Sequence, residues 1–279
     1  MAEHQTQSGP VQGKNKEDFV PEGDGRGITI SGVPNARGIG GFPTLDGRRT
    51  KSGLFFRSAG LNFMDEGGVD DLHRLGVKLV VDLRAPWEVS QWPYQLPDDI
   101  KVERVSLLSE DSQPGDGSDG TLGEQAQGEE LGMQMAPMYR DIAFGSAGKI
   151  MGILKELATG DGHPMLIHCT AGKDRTGITA GILMSLLGVQ EDMVVSSYAQ
   201  SAGNLGQAFK EAVLKGLPAD AQGADDLEGA QSALLASPPA LLQGLLQEIR
   251  QRFGSVEGYC LRNGMEPAEV QTLRDLFLE

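Results

Sequence analysis

The segment His168-Cys169-Thr170-Ala171-Gly172-Lys173-Asp174-Arg175-Thr176-Gly177 holds the densest chemistry of the chain. An apolar run, Met165 to His168, precedes it behind Pro164 and reads as a strand; an apolar helical stretch, ITAGILMSLLG, follows it. A tight loop between strand and helix points successive backbone N–H groups into one concavity, where the helix dipole adds partial positive charge. Such a cradle suits a phosphoryl dianion, with Thr170, Ala171, Gly172, Lys173, Asp174 and Arg175 as its wall. Gly172 and Gly177 let the backbone curl and approach a ligand closely. Arg175, separated from Cys169 by five intervening residues in a Cys-x5-Arg arrangement, can reach back and grip two phosphate oxygens with its planar fork. The same field acts on sulfur: a free thiol has a pKa of about 8.5, and one at a helix N-terminus beside cations ionises near neutral pH to the nucleophilic thiolate. His168 is expected to orient the loop or the sulfur. The Thr176 hydroxyl is expected to donate to the sulfur and ease its departure from a covalent intermediate.

Each of these residues has a plainer reading. A lone cysteine after an apolar strand is usually core, and only the company of His168, Arg175 and Thr176 makes Cys169 a nucleophile; Cys260, beside Tyr259 and Leu261, stays a core residue. Lys173 behind a glycine suggests a nucleotide-binding loop, but the glycine needed five positions before Gly172 is missing and Asp174 stands where a magnesium-binding hydroxyl is required. The four histidines show no metal-ligand spacing with the two cysteines. Arg57 and Arg84 end predicted strands, where a parallel sheet opens its ligand crevice, although a strand-end arginine more often forms a structural ion pair. Met133, Met135 and Met138 read as packing under a loop.

These residues need a frame. Short apolar runs at Ile28 to Ile30, Leu54 to Arg57, Val77 to Leu83, Ile100 to Leu107 and Met165 to His168 read as strands. Helical spacing marks Asp65 to Leu75 and Gly148 to Ala158, then a nearly all-helical second half: Thr176 to Leu187, Gln190 to Ser201, a poorly defined piece from Leu205 to Leu217, Pro239 to Phe253, Val256 to Asn263 and Pro267 to Leu278. Ser237-Pro238-Pro239, Ser255 and Glu266-Pro267 are helix starts. Strands alternating with helices predict an α/β fold with a central, mostly parallel sheet flanked by helices. Residues 1–26 are polar and glycine-rich and read as a disordered tail, and residues 27–279 as a single domain. Residues 110–130, with seven acidic side chains and no basic one, read as a solvated loop insert.

Across 279 residues, 24 Lys and Arg against 39 Asp and Glu leave a formal charge of −15, so nucleic-acid and anionic-membrane binding are disfavoured. A phosphate site must therefore be local, built against an adverse global field. Two distant cysteines fit a reducing compartment, and no run reaches the roughly 20 apolar residues of a membrane span or forms a leader. The expectation is a cytoplasmic protein with no integral membrane association, unconventional export left open.

HCTAGKDRTG resembles the signature loop of the cysteine-dependent protein tyrosine phosphatase superfamily, His-Cys-x5-Arg-Ser/Thr, in the Gly-Lys-Asp-Arg-Thr-Gly form of a microbial tyrosine and lipid phosphatase branch. Asn35-Ala-Arg37-Gly-Ile-Gly-Gly41, Leu54-Phe-Phe-Arg57-Ser58-Ala-Gly-Leu61, Asp82-Leu-Arg84 with Glu88, and Gly254-Ser255-x-x-Gly258-Tyr259 are similar to further motifs of that branch, in the same order. Gly38 and Ser197 depart from it, each standing where the branch favours Asp. The resemblance implies a phosphotyrosine-phosphatase-like fold and a phosphomonoesterase that needs no metal or other cofactor. Cys169 attacks phosphorus, an acid protonates the leaving oxygen, and water hydrolyses the phosphocysteine. Asp174 is one candidate acid; Asp82 and the Glu110–Asp111 region are the others. The implied substrate is a phosphorylated protein or a phosphoinositide, and Lys173 adds charge for multiply phosphorylated groups. A non-catalytic phosphate reader and a rhodanese-like sulfur transferase are the alternatives, and oligomeric state is open.

Overall fold

The computed structural model describes residues 27–108, 129–206, 209, 211 and 235–279. Its sheet has five strands, β1 (Arg37–Gly38), β2 (Phe55–Ser58), β3 (Leu79–Asp82), β4 (Lys101–Arg104) and β5 (Met165–His168), in the order β1-β2-β5-β3-β4. Only β1 runs antiparallel to its neighbour; the other pairings are parallel. β5 is central, and its register brings Ser58, His168 and Asp82 side by side at the carboxyl ends of three adjacent strands. A crevice outside those ends is where an open parallel sheet takes its ligand. Side chains alternate across the sheet: Phe56, Val80 and Leu166 pack with Leu72, Leu75 and Val77 on one face, and Phe55, Val81 and Ile167 join the larger helical core on the other.

Ten helices among the described residues complete the frame: α1 (Gly68–Arg74), α2 (Pro86–Gln91), α3 (Glu129–Arg140), α4 (Ala147–Leu157), α5 (Asp174–Leu186), α6 (Glu191–Ala199), α7 (Ser201–Asn204), α8 (Pro239–Phe253), α9 (Val256–Arg262) and α10 (Pro267–Phe277). α5 is buried almost all round, from Arg175 to Met184 without a break, because the sheet lies against one side and α6, α8 and α9 close the others. Its crossing with α8 is close: a side chain at Gly181 would begin 3.1 Å from Leu242. The expected caps form. The Ser255 hydroxyl accepts from Gly258 N at 2.8 Å, Glu269 reaches back to the Glu266 amide, and Pro239 opens α8. A seam of backbone hydrogen bonds joins residues 49–51 to residues 277–279: Arg49 and Glu279 exchange a pair, and Lys51 donates to Phe277. Among the described residues no helix is long and apolar enough to cross a membrane.

Several elements differ from expectation. Ile28 to Ile30 makes only isolated bridges, because a turn at Gly32 (φ 78°), packed against the Phe63 carbonyl, reverses the chain; the edge strand is the two-residue β1 instead. α5 begins two residues before Thr176, so Asp174 and Arg175 lie in its first turn, where an acidic side chain is favoured by the dipole. α2 and α3 were not anticipated. Pro86 at the first helical position, with Glu88 Oε2 accepting from Ala85 N at 2.7 Å, is a readable start signal; Pro137 inside α3 obscures its periodicity. Met135 and Met138 pack on the core from this helix, not under a loop. The expected tail at 1–26, most of the acidic stretch and most of Leu205 to Leu217 lie outside the described residues, as does the side chain of Met133.

Two glycines should respond oppositely to substitution. Gly181→Val has no room beside Leu242 and is expected to cost about 1–3 kcal/mol, whereas Gly244→Ala, exposed in α8 with open space around it, should add up to about 1 kcal/mol. Urea unfolding midpoints of the two variants check both signs.

Candidate active site

Cys169 stands at the end of β5, buried to 2% exposure, and the chain reaches α5 through Thr170, Ala171, Gly172 and Lys173. Every carbonyl of this loop has a partner. His168 Nδ1 bonds the Cys169 carbonyl at 3.1 Å, Gly60 N the Thr170 carbonyl at 3.0 Å, and Asn35 Nδ2 the carbonyls of Ala171 and Gly172 at 2.9 and 3.1 Å. Arg57 Nη2 adds a bond to the Gly172 carbonyl at 2.8 Å, and Gly177 N takes the Lys173 carbonyl at 2.8 Å. In a planar trans peptide the N–H points opposite to the C=O, so carbonyls drawn toward the protein turn the following amides to the other side. Among the described residues no backbone carbonyl accepts from the amides of Thr170, Ala171, Gly172, Asp174 or Arg175. These amides therefore stand together, without backbone acceptors, at the start of a 13-residue helix.

Gly172 makes this turn possible twice over. Its φ is +64°, and a Cβ there would lie 2.1 Å from the Ser58 carbonyl oxygen. Gly177 admits Tyr198, whose ring edge would be 2.8 Å from an added Cβ.

The clamps behind the loop are themselves held. Asn35 adopts φ 62°, a left-handed conformation asparagine tolerates, and its carbonyl and side-chain oxygens both accept from Arg37 Nη1. Arg37 Nη2 bonds the Ser197 carbonyl and Ser201 Oγ, each at 2.8 Å. Burial, and then the neighbouring charge of Arg57, bring the Arg37 pKa down to about 8; burial brings Arg57 to about 10, offset in part by Cys169. With glycine at 38 and serine at 197, the partners of Arg37 are neutral oxygens.

Arg175 is held by Glu88. Nη1 meets Oε2 and Nη2 lies 2.8 Å from Oε1, a two-point fit that fixes the guanidinium plane. Glu88 also accepts from Thr170 Oγ1, tying the cysteine loop to α2. Burial opposes the Arg175 charge, but Glu88 and Cys169 outweigh it and raise its pKa above the ordinary value. Arg84, by contrast, is spent on structure: it binds both oxygens of Asp82, at 2.8–3.2 Å, and the Trp92 carbonyl. Asp82, one of the candidate acids, is therefore fully buried and shared with Arg84.

Asp174 lies at the rim with its side chain 18% exposed, Oδ2 3.6 Å from Lys173 Nζ and Oδ1 hydrogen-bonded to Tyr139. Lys173 turns inward and donates to the Ala236 carbonyl at 2.9 Å. The Thr176 hydroxyl is buried with no hydrogen-bond partner among the described residues, so its expected bond to the sulfur is not made in this state. Glu110 and Asp111 lie outside the described residues. His168 supports the loop as anticipated. The Cys169 carbonyl can only accept, so the ring proton is assigned to Nδ1, and Nε2 accepts from Tyr94 at 2.9 Å.

The tyrosine phosphatase family model matches residues 28–279. The chain belongs to this family. It is 28% identical over 260 residues to the triple specificity protein phosphatase PtpB of Mycobacterium tuberculosis, covering 82% of this chain and 92% of that protein. A tyrosine-protein phosphatase of Nostoc commune is 28% identical over 262 residues, 90% of this chain and 82% of the relative. Among solved structures, TpbA of P. aeruginosa is 17% identical, covers 66% of this chain and 90% of its own, and has a TM-score of 0.33. The family is that of the resemblance read from the motifs, and the protein is a phosphatase; the sulfur-transferase alternative falls.

Sequence reasoning named the loop but missed part of its support. Asn35, Arg37 and Glu88 sat inside motifs that carried the resemblance, with no role attached to them; Tyr139 gave no signal, lying in a helix that was not anticipated.

Two outcomes test this geometry. Gly172→Ala should abolish turnover of an aryl phosphate, and retained activity would show that the loop does not need its left-handed residue. Burial pushes the His168 pKa down to about 4, while the unfolded chain protonates this ring near 6.5. The unfolded state then binds more protons between those values, so stability is level above pH 6.5 and falls, by about 3 kcal/mol, as pH drops to 4. Denaturant unfolding of wild type against His168→Gln should show this slope in the former only.

Proposed function

We propose that the protein hydrolyses phosphomonoesters, phosphotyrosine first among them, through a phosphocysteine on Cys169. The observation that carries the reading is the joint placement of Cys169 and Arg175 on one loop whose carbonyls are all bound from behind, which leaves amides and a guanidinium to surround a tetrahedral anion. Sulfur attacks phosphorus in line with the ester oxygen, and the P–O bond breaks. The charge that builds on the three equatorial oxygens meets fixed donors that need no rearrangement. Asp174 gives its proton to the departing oxygen, then takes one from the water that cleaves the P–S bond and restores the thiolate. Thr176, its hydroxyl otherwise unpartnered, is suited to donate to the sulfur as it leaves.

The name of the mycobacterial relative, a triple specificity protein phosphatase, supports more than one class of phosphorylated substrate, and the resemblance of the signature loop keeps phosphoinositides among those to be tried. Lys173 adds little to that case, because its ammonium group is bonded inward. Residues 27–279 are read as one catalytic domain behind a polar tail at 1–26, and two free cysteines, Cys169 and Cys260, suit a reducing cytoplasm.

Cys169→Ser should eliminate turnover of phosphopeptides, phosphoinositides and aryl phosphates alike while phosphate binding persists; undiminished hydrolysis of any of them in that variant refutes the mechanism. Arg175→Lys keeps the charge but loses the fork, and should reduce kcat/KM by roughly 10²–10³-fold. Asp174→Asn should slow a poor leaving group by about 10²–10⁴-fold and a nitrophenolate far less. Equal effects on both would remove Asp174 as the acid.

A further inference from the structure

Two tyrosines stand behind Asp174, and their bonds have a determined direction. Tyr139, at the end of α3, is hydrogen-bonded to Asp174 Oδ1, and its hydroxyl lies 2.5 Å from that of Tyr198 in α6. Both rings are buried to 1% exposure and meet edge to face. A phenol has one hydrogen, and an ionised carboxylate can only accept, so the Tyr139 hydrogen goes to Asp174. Tyr198 must then donate to Tyr139. Among the described residues the Tyr198 hydroxyl has no other hydrogen-bond partner. Reversing the chain, so that Asp174 Oδ1 carried a proton and gave it toward Tyr139, would leave the Tyr198 hydrogen buried without an acceptor, a cost on the order of 1–3 kcal/mol. Oδ2, beside Lys173, is under no such restriction.

We propose that Tyr198 and Tyr139 form a one-way hydroxyl chain that positions Asp174: it keeps Oδ1 free of protons and confines the transferable proton to Oδ2. The proposal rests on the reading of Asp174 as the general acid. The chain favours the ionised carboxylate, the form required when water attacks the phosphocysteine, and it fixes which oxygen carries the proton in the preceding step. Other charges also face this carboxylate. Lys173 from the loop, Arg57 from β2 and Arg175 in the same helix are the cations. Removing a phenolic hydroxyl leaves all three in place, so the chain can be tested separately from them.

The direct test is carboxyl-carbon NMR titration of Asp174 in the Cys169→Ser protein, alone and combined with Tyr139→Phe or Tyr198→Phe. Tyr139→Phe removes a hydrogen bond to a charged group and should raise the Asp174 pKa by about 1–2 units; Tyr198→Phe, which keeps the Tyr139 bond but withdraws its support, should raise it by less. If Tyr139→Phe fails to fold, as judged by thermal unfolding, the Tyr198→Phe titration decides. An unchanged or lowered pKa in the variants that fold overturns the hydroxyl chain. With Cys169 restored, the basic limb of kcat/KM for a poor leaving group should move up in pH by the same amount in each variant. A titration that shifts while the basic limb stays fixed would leave the chain standing and overturn Asp174 as the acid.

Discussion

A phosphate cradle made of backbone has a geometric debt: each amide turned toward the ligand sends a carbonyl the other way, into the protein, where an unpaired oxygen is costly. In this structure Asn35, Gly60 and Arg57 meet those carbonyls, and His168 meets that of Cys169. The catalytic loop is thus defined as much by what stands behind it as by its own residues. Arg37 and Arg57, which among the described residues form no ion pair with a carboxylate, are buried here, and their charge sits beneath the loop.

Arginines in this molecule divide by partner. Arg84 is paired with Asp82 and Arg175 with Glu88, yet only the second pair places its guanidinium in the helical turn that follows the Cys169 loop. Glu88 makes the difference: it accepts from Arg175, from Thr170 and from the Ala85 amide at once, so the orientation of the Arg175 guanidinium is set by the first turn of α2. A formal charge of −15 is no obstacle to binding a dianion when its immediate surroundings are amides and guanidinium groups.

The central strand, the loop and the long helices were legible because each is a local pattern: an apolar tetrapeptide behind a proline, glycines within a polar turn, apolar spacing behind Ser255 or Pro239. α2 is readable only from Pro86 and Glu88, because its six residues are too few to show a helical period. β1 and α3 were not legible. A two-residue edge strand has no period, and a helix containing Pro137 breaks the rule by which helices are read. The parts of the site that escaped are those whose roles exist only across distance. Asn35 meets a loop 136 residues away and Tyr139 a carboxylate 35 residues away, and neither residue type in isolation points to a site.

The seam between residues 49–51 and 277–279 has a reach beyond its own hydrogen bonds. The stretch that supplies Asn35 and Arg37 is braced, through this seam, by residues far along the sequence. Contacts of such long separation close late in folding, because the entropy of a long loop must be lost before they form. The backbone ring around Cys169 is thus coupled to a part of the polypeptide that never touches it.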